Sequence, residues 1–219
     1  MIRVKPAPEP AAFDKKVRQP GLRAVAEMVG ESPVPPRKKG RKFEKIADSR
    51  DKIPPGRLPP YWTAALDDLM TSYNGICAYS CFRIHSVTGG RSVDHMASKS
   101  RSWKDVYEWL NYRLACARLN ARKQNFGDVL DPFEIGDDWF ELEFVGFQVK
   151  PAKHLDAVTR GQVQMTIDRL DLNDYHSRSS RQRDVENYQG GGSFRVLMEE
   201  SPFVARELKR QGQVRPEDR

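Results

Sequence analysis

The stretch of residues 82–124 restricts the fold of this 219-residue chain more than any other part, because it combines a hairpin pattern with a helix pattern. Residues 82–87 alternate loosely between apolar and polar side chains, a Thr-Gly-Gly-Arg turn follows, and residues 92–95 suit a returning strand. Residues 112–124 lack Gly and Pro and are rich in Leu, Ala, Arg and Lys, which predicts a helix. We therefore expect a β-hairpin packed on a helix, a ββα unit.

The polar residues of this unit suit the hydrolysis of a phosphodiester. Such a reaction needs a base that activates water and a cation that neutralises charge on the phosphate and on the leaving oxygen. His95 suits the first role, because an unperturbed histidine has a pKa of about 6.5. The oxygens of Asp94 and Asn120 are hard ligands that suit one divalent ion, Mg²⁺ or Mn²⁺. We predict that Asp94 and His95 face Asn120 across the unit.

Asn111 is predicted to have a different role. It precedes Asn120 by nine positions, which places it about half a turn out of phase on a 3.6-residue helix. We therefore do not expect it to share the metal. Because it lies just before the predicted helix, it is expected to brace the loop of residues 96–110 against the strand that carries His95.

These stretches together resemble the HNH (ββα-metal) endonuclease family in its HNN variant. The matching segments are VDHMASKS, WLNYRLAC and NARK, which are residues 93–100, 109–116 and 120–123. The resemblance implies that His95 is the general base and that Asp94 and Asn120 bind one divalent ion. It also implies that Asn111 positions the base, and that cleavage leaves a 5′-phosphate and a 3′-hydroxyl.

The motifs outside this unit are similar to those of the HNH component of Septu-type and retron-associated anti-phage defence systems, often called PtuB. They are an N-terminal Met-Ile-Arg-Val before a Pro-rich arm, then DPF at residues 131–133, WFELEF at residues 139–144 and TIDRLDLN at residues 166–173. In those systems the nuclease works with an ABC-type ATPase. The resemblance therefore implies an ATPase partner that regulates the nuclease.

The cysteines depart from the family pattern. Many HNH proteins hold a structural zinc with two Cys-x-x-Cys pairs, but here Cys81 is displaced by one position from Cys77, and Leu119 stands where Cys116 would need a partner. Three cysteines cannot complete a four-thiolate site. We expect core thiols, and zinc held by Cys77, Cys81, Cys116 and His85 is the alternative. The odd cysteine count argues against a disulfide framework and for a reducing cytoplasm.

Charge predicts a nucleic-acid partner, which we expect to be DNA rather than RNA, although charge does not distinguish the two. The net charge is +7 and the sequence pI is near 9.4, and such surfaces attract polyanions through counterion release. The densest basic run is Arg-Lys-Lys-Gly-Arg-Lys at residues 37–42, which either contacts nucleic acid or is a solubilising tail. No base-reading element is evident, so the target sequence is not predicted.

Four further residues have two interpretations each. Lys99, Arg113 and Lys123 could grip the substrate backbone, or they could belong to solvated faces. Arg113 and Lys123 are expected on the same helical face as Asn120. His85 could touch the phosphate or the metal, or it could be a partly buried residue of the opposite hairpin strand.

The whole chain is predicted to be α+β, with the ββα nuclease unit between two appendages. The segments are a Pro-rich basic N-terminal arm (1–58), an HNH nuclease core (59–130) and a mainly helical C-terminal extension (131–219). The other predicted elements are helices at 22–29, 60–73, 156–170, 174–188 and 202–211 and two short strands within 137–149. No stretch approaches the roughly 20 apolar residues that span a bilayer, so we expect no membrane role.

Two functions remain open from the sequence. The first is a metal-dependent endonuclease in which Asp94, His95 and Asn120 act together. The second is a non-catalytic subunit that keeps the scaffold and uses its basic surface to bind nucleic acid or an ATPase. The Asp-His and Asn combination favours the enzyme, because a pure binding protein has no need of it.

Overall fold

The computed structural model describes residues 1–218, so Arg219, the last residue of the predicted C-terminal extension, lies outside the described residues. The α-helices are α1 (Gln19–Met28), α2 (Leu66–Ser72), α3 (Ala117–Lys123), α4 (Ala157–Leu170), α5 (Tyr175–Gln189), α6 (Phe194–Glu200) and α7 (Pro202–Arg210). The strands are β1 (Arg91–His95), β2 (Tyr112–Cys116), β3 (Phe140–Glu143) and β4 (Gln148–Pro151). The protein therefore has helices around two small antiparallel sheets, which confirms a mixed α/β class.

The first sheet does not have the predicted partner strands. β1 pairs with β2 in antiparallel register, with Arg91 opposite Cys116 and His95 opposite Tyr112. The predicted hairpin between residues 82–87 and 92–95 is wrong, because residues 82–87 contribute only an isolated bridge from Arg83 to Ile76. The 96–111 loop therefore connects the two strands, and α3 follows β2 directly.

The segment predicted as one helix over residues 112–124 divides into a strand and a helix. Its first half is β2, whose residues Tyr112–Ala115 are all buried, and α3 starts only at Ala117. Burial on both faces removes the alternation that reveals a strand, so the helix-forming composition dominated the prediction. Arg113 is consequently a strand residue. The prediction that it shares a helical face with Asn120 is therefore wrong.

The remaining predicted elements are largely confirmed. The helix expected over residues 60–73 is a 3₁₀ turn at Tyr61–Ala65 continued by α2. α1, α4, α5 and α7 match predicted helices, and β3 and β4 match the predicted strand pair. The Asp156 and Asp174 carboxylates accept hydrogen bonds from first-turn amides of α4 and α5, as N-caps do. α6 was not predicted, because its seven residues are too short for a clear period.

The N-terminal arm is part of the main core. One cluster of buried apolar side chains includes residues from all three predicted segments, such as Phe13, Trp109 and Leu208. The Phe13 ring packs edge-on against Trp109 and Tyr112, at centroid distances of 5.5 and 5.7 Å. None of the helices within residues 1–218 combines the length and the apolarity needed to cross a bilayer.

Candidate active site

One cleft of about 550 Å³ brings together three of the residues predicted to do chemistry. Asp94 and His95 reach it from the end of β1, and Asn120 reaches it from α3. Lys99, from the loop that follows β1, also lines the cleft. Asp94 and His95 are buried, with 2% and 7% of their surfaces exposed, so their environment is set by protein neighbours rather than by bulk water.

His95 is held in one tautomer by a backbone carbonyl. Its Nε2 lies 3.0 Å from the oxygen of Val106. A carbonyl can only accept a hydrogen bond, so Nε2 carries the proton and Nδ1 keeps a lone pair. Burial, together with the positive charge of Lys99, lowers the pKa of His95 to about 4. The imidazole is therefore neutral at physiological pH, which is the state that a general base requires.

Asp94 has two buried partners. Tyr79 donates its hydroxyl proton to Oδ2, and Lys123 Nζ lies 3.1 Å from Oδ1. Lys123 Nζ also donates to the backbone oxygen of His95 at 3.1 Å, and its side chain is fully buried. Burial raises the pKa of Asp94, and the charge of Lys123 opposes that rise. Lys123 is thus fully buried against Asp94, and neither of its two predicted roles, substrate grip or solvated face, fits this burial.

Asp94 and Asn120 line the same cleft and carry oxygens of the kind that a hard divalent ion prefers, so the shared metal stays a prediction. Asn120 Nδ2 donates to the oxygen of Val93 at 3.2 Å, and within residues 1–218 its Oδ1 has no hydrogen-bond partner. A carboxylate has about four lone-pair sites, so the two partners of Asp94 leave acceptor capacity. The described residues contain no group of three His, Cys, Asp or Glu side chains that could hold a metal. One carboxylate, one amide oxygen, waters and substrate phosphates are a typical ligand set for Mg²⁺.

Asn111 ties the loop of residues 96–110 to the start of β2. Its Oδ1 accepts from the amide of Ala97 at 2.7 Å, and its Nδ2 donates to the oxygens of Ala97 and Asp105 at 3.0 and 2.9 Å. Its own carbonyl accepts from the amide of Met96 at 2.9 Å. All four contacts hold the chain that leaves His95, so Asn111 fixes the entry and the middle of that loop.

Comparison with known proteins adds no family to this geometry. The chain matches no family model, and no curated protein matches it either. The HNH resemblance therefore remains a prediction that depends on Asp94, His95, Asn111 and Asn120.

Two predicted substrate contacts lie away from the cleft. Arg113 is 3% exposed, pairs with Asp131 at 2.5 Å and lies over the Phe133 ring at 3.4 Å from its centroid. These partners leave Arg113 a structural role, contrary to both of its predicted roles. His85 is exposed in a loop, where its Nδ1 accepts from two amides of the following turn, and it is neither in a strand nor in the cleft.

None of the three cysteines lines the candidate cleft. Cys77 and Cys81 are buried and Cys116 is partly buried, and all three are free thiols. The Cys116 amide donates to Cys77 Sγ at 3.3 Å, so these two residues are neighbours. Within residues 1–218 no group of three His, Cys, Asp or Glu side chains could hold a metal, and zinc held by these cysteines and His85 stays the alternative to core thiols.

Two site residues escaped sequence reasoning. Trp62, from the 3₁₀ turn before α2, packs its ring edge-on against His95 with centroids 4.9 Å apart. Tyr79 lies between Cys77 and Cys81 in the sequence, and its hydroxyl binds Asp94. Neither residue has a local signal, because each meets the site through contacts that are distant along the chain.

Proposed function

We propose that this protein is a metal-dependent endonuclease that hydrolyses phosphodiester bonds of nucleic acids, with DNA as the preferred target. The observation that carries the proposal is the single cleft that holds a neutral His95 together with Asp94 and Asn120. A general base and two hard oxygen ligands in one cleft are the parts that this hydrolysis requires.

The reaction follows from the state of His95. Its Nδ1 accepts a proton from water, and the hydroxide attacks phosphorus. The bond between phosphorus and the 3′ oxygen breaks, the 3′ oxygen takes a proton from solvent, and the phosphate stays on the 5′ end of the other fragment. Val106 keeps the tautomer of His95, and Asn111 keeps the adjoining loop in place. Mg²⁺ or Mn²⁺ held by Asp94 and Asn120 would supply charge neutralisation on the phosphate.

The biological setting is proposed from resemblance. Similarity to the HNH component of Septu-type and retron-associated systems suggests an anti-phage effector that works in the cytoplasm. Its partner would be an ABC-type ATPase. The net charge of +7 is consistent with a nucleic-acid target for such an effector.

The competing function is a non-catalytic assembly subunit that binds nucleic acid or an ATPase. One observation favours it, namely that Asp94 already has Tyr79 and Lys123 as partners. A subunit of that kind would bind its partners without metal and without any need for His95.

The test is cleavage of supercoiled plasmid DNA and of total RNA by the purified chain, with Mg²⁺, with Mn²⁺ and with EDTA. The variant is His95→Ala, and the matched control is His176→Ala, because His176 is exposed on α5. We expect metal-dependent cleavage that is lost in His95→Ala, kept in His176→Ala, and leaves 5′-phosphate ends. The same assays are repeated after addition of any ABC-type ATPase that is encoded beside this protein.

The cleavage assay distinguishes the endonuclease from the non-catalytic assembly subunit. Equal cleavage by His95→Ala and the parent chain would refute the assignment of the base. No cleavage under any condition, with nucleic-acid or ATPase binding retained, would establish the assembly subunit instead.

A further inference from the structure

Lys99 presents a cation without a counter-ion inside the cleft. The residue is partly buried, and within residues 1–218 its Nζ has no carboxylate within ion-pair distance and no hydrogen-bond acceptor. Burial lowers the pKa of Lys99. By contrast, the other cation beside the cleft, Lys123, is neutralised by Asp94. A desolvated ammonium without a partner favours the binding of an anion, because the anion restores the lost interactions.

Trp62 holds this cation in place. The Lys99 ammonium lies 4.3 Å from the centroid of the Trp62 ring, which is within the range of a cation–π contact. The same ring packs edge-on against His95 with an interplanar angle of 89°. The Trp62 ring centroid also lies 6.2 Å from that of Tyr107, which is buried. One indole therefore connects the cation and the candidate base to the core.

We propose that Lys99 binds a backbone phosphate of the nucleic-acid substrate, and that Trp62 is the positioning residue that keeps Lys99 beside His95. This inference rests on the proposed function, since it identifies the substrate group that the cleft recognises. The aromatic face suits this role, because it restrains the flexible lysine without neutralising its charge. A carboxylate partner would restrain Lys99 equally well but would cancel the attraction for phosphate.

The charge of Lys99 is tested by nucleic-acid binding in EDTA, where no cleavage occurs. Fluorescence anisotropy of a labelled DNA duplex is measured from 50 to 300 mM salt for the parent, Lys99→Gln and Lys99→Arg. The control is Lys153→Gln, because Lys153 is exposed before α4 and does not line the cleft. Loss of one phosphate contact reduces the slope of log K against log salt by about 0.9, and weakens binding roughly five- to tenfold near 0.1 M salt. Lys99→Arg and Lys153→Gln should keep the parental slope.

The positioning role is tested by Trp62→Phe and Trp62→Leu, each alone and combined with Lys99→Gln. Phe retains an aromatic face, so Trp62→Phe should keep most of the contribution of Lys99 to the salt slope. Trp62→Leu should lose that contribution. Once Lys99 is Gln, Trp62→Leu should have little further effect, because its action is through Lys99. Additive losses would mean that Trp62 is only structural, and thermal melts identify any variant that fails to fold.

Competition identifies the source of the phosphate. If millimolar inorganic phosphate protects the parent from thermal unfolding but not Lys99→Gln, and leaves DNA binding unchanged, Lys99 is a site for free phosphate and the inference is overturned. An unchanged salt slope in Lys99→Gln overturns it as well, even if cleavage still requires His95. A reduced slope without cleavage under any condition would support the phosphate site while rejecting the nuclease.

Discussion

The Asp94 carboxylate is a buried charge whose cost is offset by two neighbours. Lys123, with no exposed surface, supplies the opposite charge, and the Tyr79 hydroxyl supplies a hydrogen bond. Replacing a whole buried ion pair by apolar groups is often neutral, but removing one partner leaves an isolated charge. Lys123 is therefore a stability residue, and its charge also opposes the rise that burial causes in the pKa of Asp94.

Lys123→Met should lower the free energy of unfolding by about 3–5 kcal/mol, because Asp94 then remains buried without a counter-charge. Urea denaturation at pH 7 measures the change. Lys153→Met, at an exposed position, should change stability by less than about 0.5 kcal/mol. The combination of Lys123→Met with Asp94→Asn should cost less than the sum of the single changes. Simple additivity would contradict the pairing.

His95 should titrate below the ordinary histidine pKa of about 6.5, because burial and Lys99 both disfavour its charged form. A lower pKa keeps the Nδ1 lone pair available at lower pH, so the acid limb of the activity profile should fall below pH 6.5. NMR of ring-labelled, metal-free protein measures the midpoint directly, and it should lie nearer to 4. A midpoint at or above 6.5 would contradict the buried, neutral base.

The loop between β1 and β2 positions most of the candidate site. It carries Val106, which fixes the tautomer of His95, and Lys99, which packs on Trp62. Asn111 closes this loop with three side-chain hydrogen bonds to Ala97 and Asp105. The geometry of the base therefore depends on a loop held by one amide side chain.

Asn111→Ala should loosen this loop without unfolding the protein. The amide of Ala97 loses its acceptor, so its hydrogen exchange should accelerate at least tenfold, while amides in α4 stay protected. Cleavage should fall about 10- to 100-fold, as is common when a supporting hydrogen bond to a site is removed. Asn187→Ala, at an exposed position of α5, is the matched control. Unchanged exchange at Ala97 would show that other contacts hold the loop.

The N-terminal arm supports the site across the molecule. Phe13 packs against Tyr112, and the Tyr112 ring packs edge-on against His95 at 5.1 Å. Gly21 of α1 approaches the Tyr107 ring so closely that a Cβ would lie 2.4 Å from a ring carbon. Burial of Glu27 with Arg37 fastens the basic segment of residues 37–42 to α1. Whether that segment contacts nucleic acid remains a prediction.

Glu27→Gln should destabilise the protein in a pH-dependent way. The hydrogen-bonded Arg37 guanidinium lowers the pKa of the buried Glu27 carboxyl, and the amide of Phe43 adds to this. A lowered folded-state pKa contributes stability that is present above the unfolded value of about 4.3, and that is lost as pH falls through the folded-state value. The variant should be about 1–3 kcal/mol less stable at pH 7, and the difference should be smaller at pH 3. Urea denaturation at the two pH values measures this, and a pH-independent difference would contradict the ion pair.

Local sequence was sufficient to predict the helices and strands that depend on neighbouring residues. The helices predicted over residues 60–73, 156–170 and 174–188 and the strand pair predicted within residues 137–149 depend on neighbouring residues, so spacing and residue type predicted them. The presence of Asp94, His95 and Asn120 in one unit was likewise predicted from their order along the chain. The cleft now groups these three residues, while their chemistry stays a proposal.

Only the folded chain decided the strand partner and the neighbours of each charge. Residues 112–116 have a helical composition, but burial against β1 makes them a strand, because tertiary packing outweighs a propensity of a few tenths of a kcal/mol per residue. The same packing buries Arg113 and Lys123 against Asp131 and Asp94, while Lys99 remains without a carboxylate within residues 1–218. Charge pairing depends on residues tens of positions apart, and no local pattern encodes that separation.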